Sequence, residues 1–525
     1  MFASPFCSTF RNRGPTPTIT SAKLSYAWLP RLQQTAQRAI ICFLLACATQ
    51  PALMGQRLIT LTPTEKLVLT QLQSGAEADL KDAGPADQVL RHNFLELLIT
   101  GAYTTPALSR HGITISNATV KGLLEVTSAI IPYPVRLKHC NLEAGIDFSY
   151  DKFEHDLSLE GSHVGTPSIG QNALAPPQGP ALFIGTTVDG LVNLRGAYFH
   201  TSANFTYAQV GSEFLSDDVH YESDNVADFD SFKARAPVFF RRSHFAGKLR
   251  LADSELFALY IEDPLPPGTI DLELKQAHIQ RGLTIKGVTL QPLQAEFLEV
   301  AGGTKLEDVT PASQVNLAHS HFQGLTLIGF DKWLRKGAPG DFNLEGLSFD
   351  GIDIPDAAVE PHAARMLELI NSDRCPYSPQ PYMELEKFLR AHGNPNEADQ
   401  AYIDMRRRER TLLSVWLRPF DWFLDVLVGY GRRAWLAVIY ALLLAVAGTA
   451  IFRPEFMEHE DKATDTWYNS FWFSLDLLSP IDLGVSKKWR PKENKRWIRN
   501  YAQVHRVAGW ILIPLILAAI TGVIK

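Results

Sequence analysis

The sequence predicts a mainly β protein: a right-handed parallel β-helix (solenoid) followed by a helical hairpin and a C-terminal α-helical membrane module. Three observations carry that expectation. An eleven-residue unit recurs through the middle of the chain, with apolar side chains at its third, seventh and ninth places. After about residue 380 the apolar spacing changes from that of a strand to that of a helix. The last hundred residues then hold two long uncharged apolar runs.

A chain of 525 residues is too long for one ordinary core, so several domains are expected. A net charge of −6 gives no whole-chain basis for nucleic-acid binding, and no nucleic-acid partner is expected. The five cysteines (Cys7, Cys42, Cys47, Cys140 and Cys375) are widely spaced with no C-x-x-C, which argues against both a disulfide framework and a zinc site.

Residues 1–55 read as a signal or anchor segment. No Asp or Glu precedes Glu65, and several arginines lead into AIICFLLACATQPALMG at 39–55. The run is short for a span. Ala46-Cys47-Ala48 offers a cleavage site, and Leu44 to Cys47 resembles a bacterial lipobox that would place a lipid on Cys47. A buried helix of a soluble domain is the alternative. Residues 56–110 are expected to form a helical N-cap, with helices over 61–75 and 86–101, where Leu90, Phe94, Leu97 and Leu98 share one face.

The repeat occupies 111–360. Units begin at Ala118, Ala129, Cys140 and Asp151 in unbroken register, and the register returns at Thr186, Ala197, Ser243 and Ala277. Apolar residues two apart require a strand, and the small residues between them supply turns. One such unit buries nothing alone, whereas stacked units share a continuous interior, two units making a coil of about 22 residues. A β-sandwich has similar strands but no reason for fixed spacing. On stretches such as NLRGAYF and TVKGLLEV the chain resembles the pentapeptide-repeat and right-handed β-helix group of bacterial membrane proteins, without the strict A-[DN]-L-x-x pattern. The resemblance implies a rigid solenoid ahead of a C-terminal two-span, ion-channel-like module. Two stretches interrupt the register: 165–183, rich in Pro and Gly, and an acidic stretch over 215–230 with Asp217, Asp218, Glu222, Asp224, Asp228 and Asp230. The second is a candidate ligand or ion loop, although it lacks the D-x-D-x-D-G calcium spacing; the plainer alternative is a solvated loop.

Residues 361–433 are expected to form a helical hairpin and an interfacial helix. The hairpin covers 380–413 with its break at His392 to Pro395, and the Trp-rich interfacial helix covers 415–435. The basic side chains Arg406, Arg407, Arg408, Arg432, Arg433, Lys487 and Lys488 are candidate contacts to lipid headgroups. The membrane module, 434–525, has spans at 434–452 and 507–524. Between them TWYNSFWFSLDLLSPIDLG (466–484) carries Asp476, Pro480 and Asp482. An Asp at a span centre costs roughly 2.5–3.5 kcal/mol, so a half-length re-entrant or interfacial helix is expected rather than a third span. These three residues are candidate pore positions, but PIDLG supplies no potassium-type filter.

Both the bridge 406–433, with seven Lys/Arg, and the loop 453–506, with ten, favour the cytoplasm. The export signal decides between them and sends the solenoid to the periplasmic side of a bacterial inner membrane. No catalytic motif such as a P-loop, G-x-S-x-G or H-E-x-x-H occurs, and no cofactor or metal is expected. The functional expectation is a membrane-anchored interaction or sensor protein without catalytic activity. Its partners would be the bilayer and a protein or glycan ligand on the solenoid surface, with homo-oligomerisation open. The alternatives are a two-span channel or transport component and, behind it, a β-helix carbohydrate enzyme.

Overall fold

Alternating apolar residues wind the chain from Ile113 to Asp353 into a parallel β-solenoid of about nine turns. The computed structural model describes residues 60–102, 108–165, 179–224, 226–334, 341–355, 362–459, 467–479 and 484–521. Cys47, Pro480 and Asp482, and most of the 165–183 insertion, lie outside the described residues. Three parallel sheets of 18, 7 and 11 strands wall the solenoid. Coils stack in register: Phe153 pairs with Ile131 on one side and Val188 on the other, and Leu157 with Val135 and Val192. The period is the expected 22 residues, as between Cys140 and Ser162. All the apolar positions of the first four units, from Val120 through Leu159, are at most 3% exposed. Deeper in the stack aromatic rings fill the bore: Phe183, Phe205 and Phe229 lie face to face at 4.4 and 4.7 Å.

The corners follow the same period. A left-handed residue ends each eleven-residue unit, at Asn117, Ser128, His139, Tyr150 and Gly161 in succession. Where the corner is Gly185, a Cβ would stand 2.7 Å from the Tyr150 ring one coil away, so glycine serves both the positive φ and the stacking. The residue after each corner points inward and ties adjacent coils together. Ser162 Oγ accepts from Cys140 N–H at 2.9 Å and donates to Leu137 C=O at 2.8 Å. Ser254 and Ser320 repeat this pair of bonds in later coils. Asp151 occupies the same place, and its Oδ1 accepts from Ala129 N–H at 2.8 Å.

The acidic stretch is not a loop. It forms a regular coil with strands at Phe214–Leu215, His220–Tyr221 and Ala227–Asp228, all paired in parallel with both neighbours. Phe214, Val219, Tyr221 and Phe229 keep the inward places while the acids take mainly outward ones, so alternation, not charge, decides the conformation. The seven-stranded wall ends at His244–Phe245; from Glu255 the two short strands on the first wall fuse into single strands of eight or nine residues.

Both ends of the stack are covered. Helix α1 (Pro63–Ser74) starts on a capping box between Thr62 and Glu65. Of the helix expected over 86–101 only α2 (His92–Ile99) is helical. Val89–Arg91 instead pairs with Thr119–Lys121, and Ala78–Asp79 pairs with Ile115–Ser116. Unpaired strand edges are costly in the first coil, and these two segments satisfy them. At the other end stand α3 (Met366–Ile370), α4 (Pro379–Ala391) and α5 (Pro395–Arg410), the last two forming the expected hairpin. Ile370, Tyr382, Leu385, Leu389 and Ala401 join the solenoid core itself. Then follow α6 (Arg418–Val428), α7 (Ala434–Ile451), α8 (Ser470–Leu478) and α9 (Arg496–Ile520). An antiparallel strand pair that the sequence did not announce, Met457–His459 with Trp489–Pro491, closes the loop around α8.

Candidate functional site: the solenoid wall and the helices that carry it

The outward acids of the 215–230 coil meet arginines from neighbouring coils. Asp217 is buried and lies 3.1 Å from Arg195 Nε and 2.8 Å from Arg241 Nε. Burial pushes its carboxyl up, but the bonds from Arg241 and Arg195 outweigh that and hold it below its usual range. Asp218 pairs with Arg242 at 2.6 Å and Asp228 with Arg250 at 3.4 Å. Asp224 is exposed, and burial beside Asp228 and Asp253 pushes Asp230 up. These carboxylates form cross-coil ladders on the wall rather than converging on one point. Among the described residues no three His, Cys, Asp or Glu side chains gather as a metal site. Cys140 and Cys375 are buried thiols that burial pushes up to about 12 and about 11, far from a reactive thiolate.

A second feature of the wall escaped the sequence reading. On the seven-stranded sheet the register aligns Asn141, His163, Tyr198, His220 and His244 in one outward column. His163 stacks on Tyr198 at 4.6 Å, and Tyr198 on His220 at 4.3 Å. Beside this column His163 Nδ1 lies 3.1 Å from His200 Nε2, and His200 Nδ1 lies 2.5 Å from Glu222. Ring faces are occupied by one another, so the column offers edges and protons rather than a flat platform. Burial and the neighbouring His200 and His220 hold His163 below the ordinary histidine value, and burial does the same for His220. Successive members of the column are 22 to 35 residues apart, so only the coil register reveals them as neighbours.

The basic run before the apolar helices folds onto protein partners. Arg407 Nε is 2.9 Å from Asp425, Arg410 Nη2 is 2.5 Å from Asp425 and Arg410 Nε is 2.9 Å from Asp421. Tyr430 donates to Asp421 at 2.6 Å and accepts from Arg410 at 2.9 Å. Burial pushes Asp425 up, yet the bonds from Arg407 and Arg410 prevail and hold it below its usual range. Arg406 reaches Glu409 at 2.5 Å. Arg408 donates to the Ile370 and Cys375 carbonyls, Arg432 pairs with Glu386 at 2.6 Å and Arg433 donates to Gln400 at 2.6 Å. These six arginines therefore join α5 and the turn after α6 to α3, α4 and α6, whereas Lys487 and Lys488 stand exposed before Trp489.

Helices α7 and α9 are long and apolar enough to cross a membrane, and only 17% and 22% of their apolar windows are buried, unlike the core helices of a soluble domain. Helix α8 is nine residues, about 13 Å, too short to cross. It packs between them because both partners offer glycine at the contact: a Cβ on Gly448 would run into Ser474 Oγ, and one on Gly509 into the Leu478 carbonyl. Asp476 is 4% exposed and accepts from Ser486 N–H at 2.5 Å, so its carboxylate ties α8 to the segment that precedes Trp489–Pro491. Ser474 Oγ and His505 Nε2 are 3.0 Å apart, but both are sealed beneath Gly448. Alongside α7 and α9, α6 exposes Phe420, Trp422, Phe423 and Val426 while burying Asp421 and Asp425 against the bridge arginines. No family model, curated protein or solved structure matches this chain.

Proposed function

We propose that this chain is a membrane-anchored β-solenoid that acts as an interaction or sensor protein without catalytic activity of its own. In this reading α7 and α9 cross a bacterial inner membrane and the solenoid stands on the periplasmic side, where its wall meets a protein or glycan ligand. The observation that carries it is the apolar belt: Trp422, Trp435, Ile439, Leu442, Leu443 and Leu517 are all exposed on α6, α7 and α9, while the solenoid exposes large apolar side chains only singly, as at Ile130 and Phe297. The orientation rests on the fate of the basic residues. The bridge arginines are tied into a folded element continuous with the solenoid, and folded domains translocate largely regardless of charge. The loop between α7 and α9 is short and exposes Lys487 and Lys488, so it stays in the cytoplasm. Carbonate extraction of bacterial membranes carrying the full chain, followed by protease treatment of spheroplasts, tests both parts. The protein remains with the membrane, and external protease reaches the exposed turn around Gly268 before the loop at Lys488. Release by carbonate, or the reverse order of cleavage, would overturn the reading.

A further inference from the structure

We propose that the cleft between the Met457–His459/Trp489–Pro491 strand pair and the first three turns of α9 binds the phosphate of an anionic phospholipid headgroup; this rests on the reading that α7 and α9 cross a bilayer. The cleft has a volume of about 340 Å³, enough for a headgroup. Arg499, Gln503 and Arg506 recur at i, i+4 and i+7, so one face of α9 lines it with two guanidinium groups and an amide. Arg490 enters from the strand pair, where Glu458 holds it at 3.0 Å. Arg499 and Arg506 are exposed and form no ion pair with any described carboxylate. Glu493, the remaining acid, sits on the exposed rim.

Three features select a lipid phosphate rather than any anion. First, depth: the charged side chains of α9, from Arg496 to Arg506, all lie in its first three turns, ahead of the apolar run that this reading places in the hydrocarbon layer. Arg506 is the last charged side chain before the uncharged run that opens at Val507, which places it where phosphates lie. Second, the floor of the cleft is apolar, made by Phe473, Leu477 and Ala502. A glycerol backbone and the first acyl carbons rest on such a floor, and free phosphate gains nothing from it. Third, Lys492 and Lys495 stand next to the cleft, one on the Glu455 carbonyl at 2.7 Å and one over the Phe456 ring at 5.2 Å, which leaves the local field positive. Guanidinium forks match phosphate oxygens two at a time, which a lysine does not.

The test uses the full chain in nanodiscs of phosphatidylcholine with and without phosphatidylglycerol, with lipid retention read by native mass spectrometry and unfolding by thermal melts. The parent retains phosphatidylglycerol over phosphatidylcholine and melts higher in its presence. Arg499→Gln with Arg506→Gln weakens that retention about thirtyfold, roughly fivefold for each guanidinium removed. Its melt in phosphatidylcholine alone and its carbonate resistance stay unchanged. Arg499→Lys with Arg506→Lys, which keeps the charge and guards against a folding defect, gives an intermediate loss. Equal retention by parent and Gln variant overturns the proposal, and so does stabilisation by inorganic phosphate equal to that by phosphatidylglycerol. A parent released by carbonate would sink the membrane reading and the cleft with it, whereas unselective retention in a carbonate-resistant parent sinks the cleft alone.

Discussion

Replacing Asp151 should make the solenoid less sensitive to alkali. At the equivalent corner of later coils a serine hydroxyl accepts from one backbone N–H and donates to one backbone carbonyl. Asp151 Oδ1 takes the N–H, while Oδ2 is buried and has no partner. A carboxylate has no proton to donate, so only the protonated acid makes both bonds. Burial, with Asp147 adding repulsion, pushes the group up to about 7. An unfolded chain releases this proton near pH 4. The contribution of Asp151 is thus fully present below about pH 4, falls as pH rises, and is lost once pH passes the folded value of about 7. Three pH units at 1.36 kcal/mol each make a loss of about 4 kcal/mol between those limits. Asp151→Asn keeps an acceptor and adds a donor without a charge, and Asp151→Ser copies the neighbouring coils. Urea unfolding in neutral detergent, followed by far-UV circular dichroism, measures the difference between variant and parent at about pH 4.5 and about pH 8. The difference should move by about 3 kcal/mol in favour of the variants at the higher pH, since other titrating groups cancel in the subtraction. A variant-to-parent difference independent of pH would refute the argument.

The histidine column predicts the opposite dependence. His163 and His220 lie below the ordinary value of 6.5, so their contribution is present above about pH 6.5 and is lost as pH falls through the lower folded values. Hydrogen exchange of the coils from His163 to His244 should quicken on acidification, and His163→Gln with His220→Gln should blunt that change. In the bridge, Asp425→Ala leaves Arg407 and Arg410 without their shared carboxylate. With Arg407 half exposed the cost is about 2 kcal/mol, and limited proteolysis should then cut between α5 and α6, separating the solenoid from α6–α9. Among the C-terminal helices Gly448→Val forces a side chain into Ser474 and His505 and should lower the melting temperature, through an overpacking cost of about 1–3 kcal/mol. An unchanged melt would mean that α7 and α8 are not in contact in detergent.

The repeat was legible because inward apolar places are dictated by alternation alone: Val120, Leu124 and Val126 announce themselves, and so do their counterparts in the next three units. The helical hairpin, a helix within 415–435 and the half-length α8 were legible for similar reasons, through period, Pro395 and the short apolar length. The corners were not. Asn117, Ser128, His139 and Tyr150 share a left-handed backbone but no side-chain chemistry, so no composition signal marks them. The acidic coil was misjudged because outward charges resemble a loop when the inward Phe214 and Phe229 are not weighed against them. The protein partners of the bridge arginines went unread, although Arg407 with Arg410 and Asp421 with Asp425 each have helical one-turn spacing. That matching pattern was the available signal for two facing helices.

The two proton-sensitive features lie in the same part of the stack, and this bears on how a solenoid of this kind responds to its surroundings. In a quasi-one-dimensional fold stability is a sum of coil and nearest-neighbour terms, so a weak coil is not rescued by strong ones far away. Both ends here are reinforced, by α1 and its paired strands on one side and by the α4–α5 hairpin sharing the core on the other. The middle, from Asp151 to His244, instead depends on a carboxyl that prefers its proton and on imidazoles that prefer to lack theirs. Alkali weakens one and acid the other. Opening should therefore start among these central coils rather than by fraying from the termini, with the fastest-exchanging coil moving from the neighbourhood of Asp151 towards the histidine column as pH falls. Exchange that begins at the capped ends at every pH would show that nearest-neighbour packing of the Phe183, Phe205 and Phe229 rings outweighs both groups.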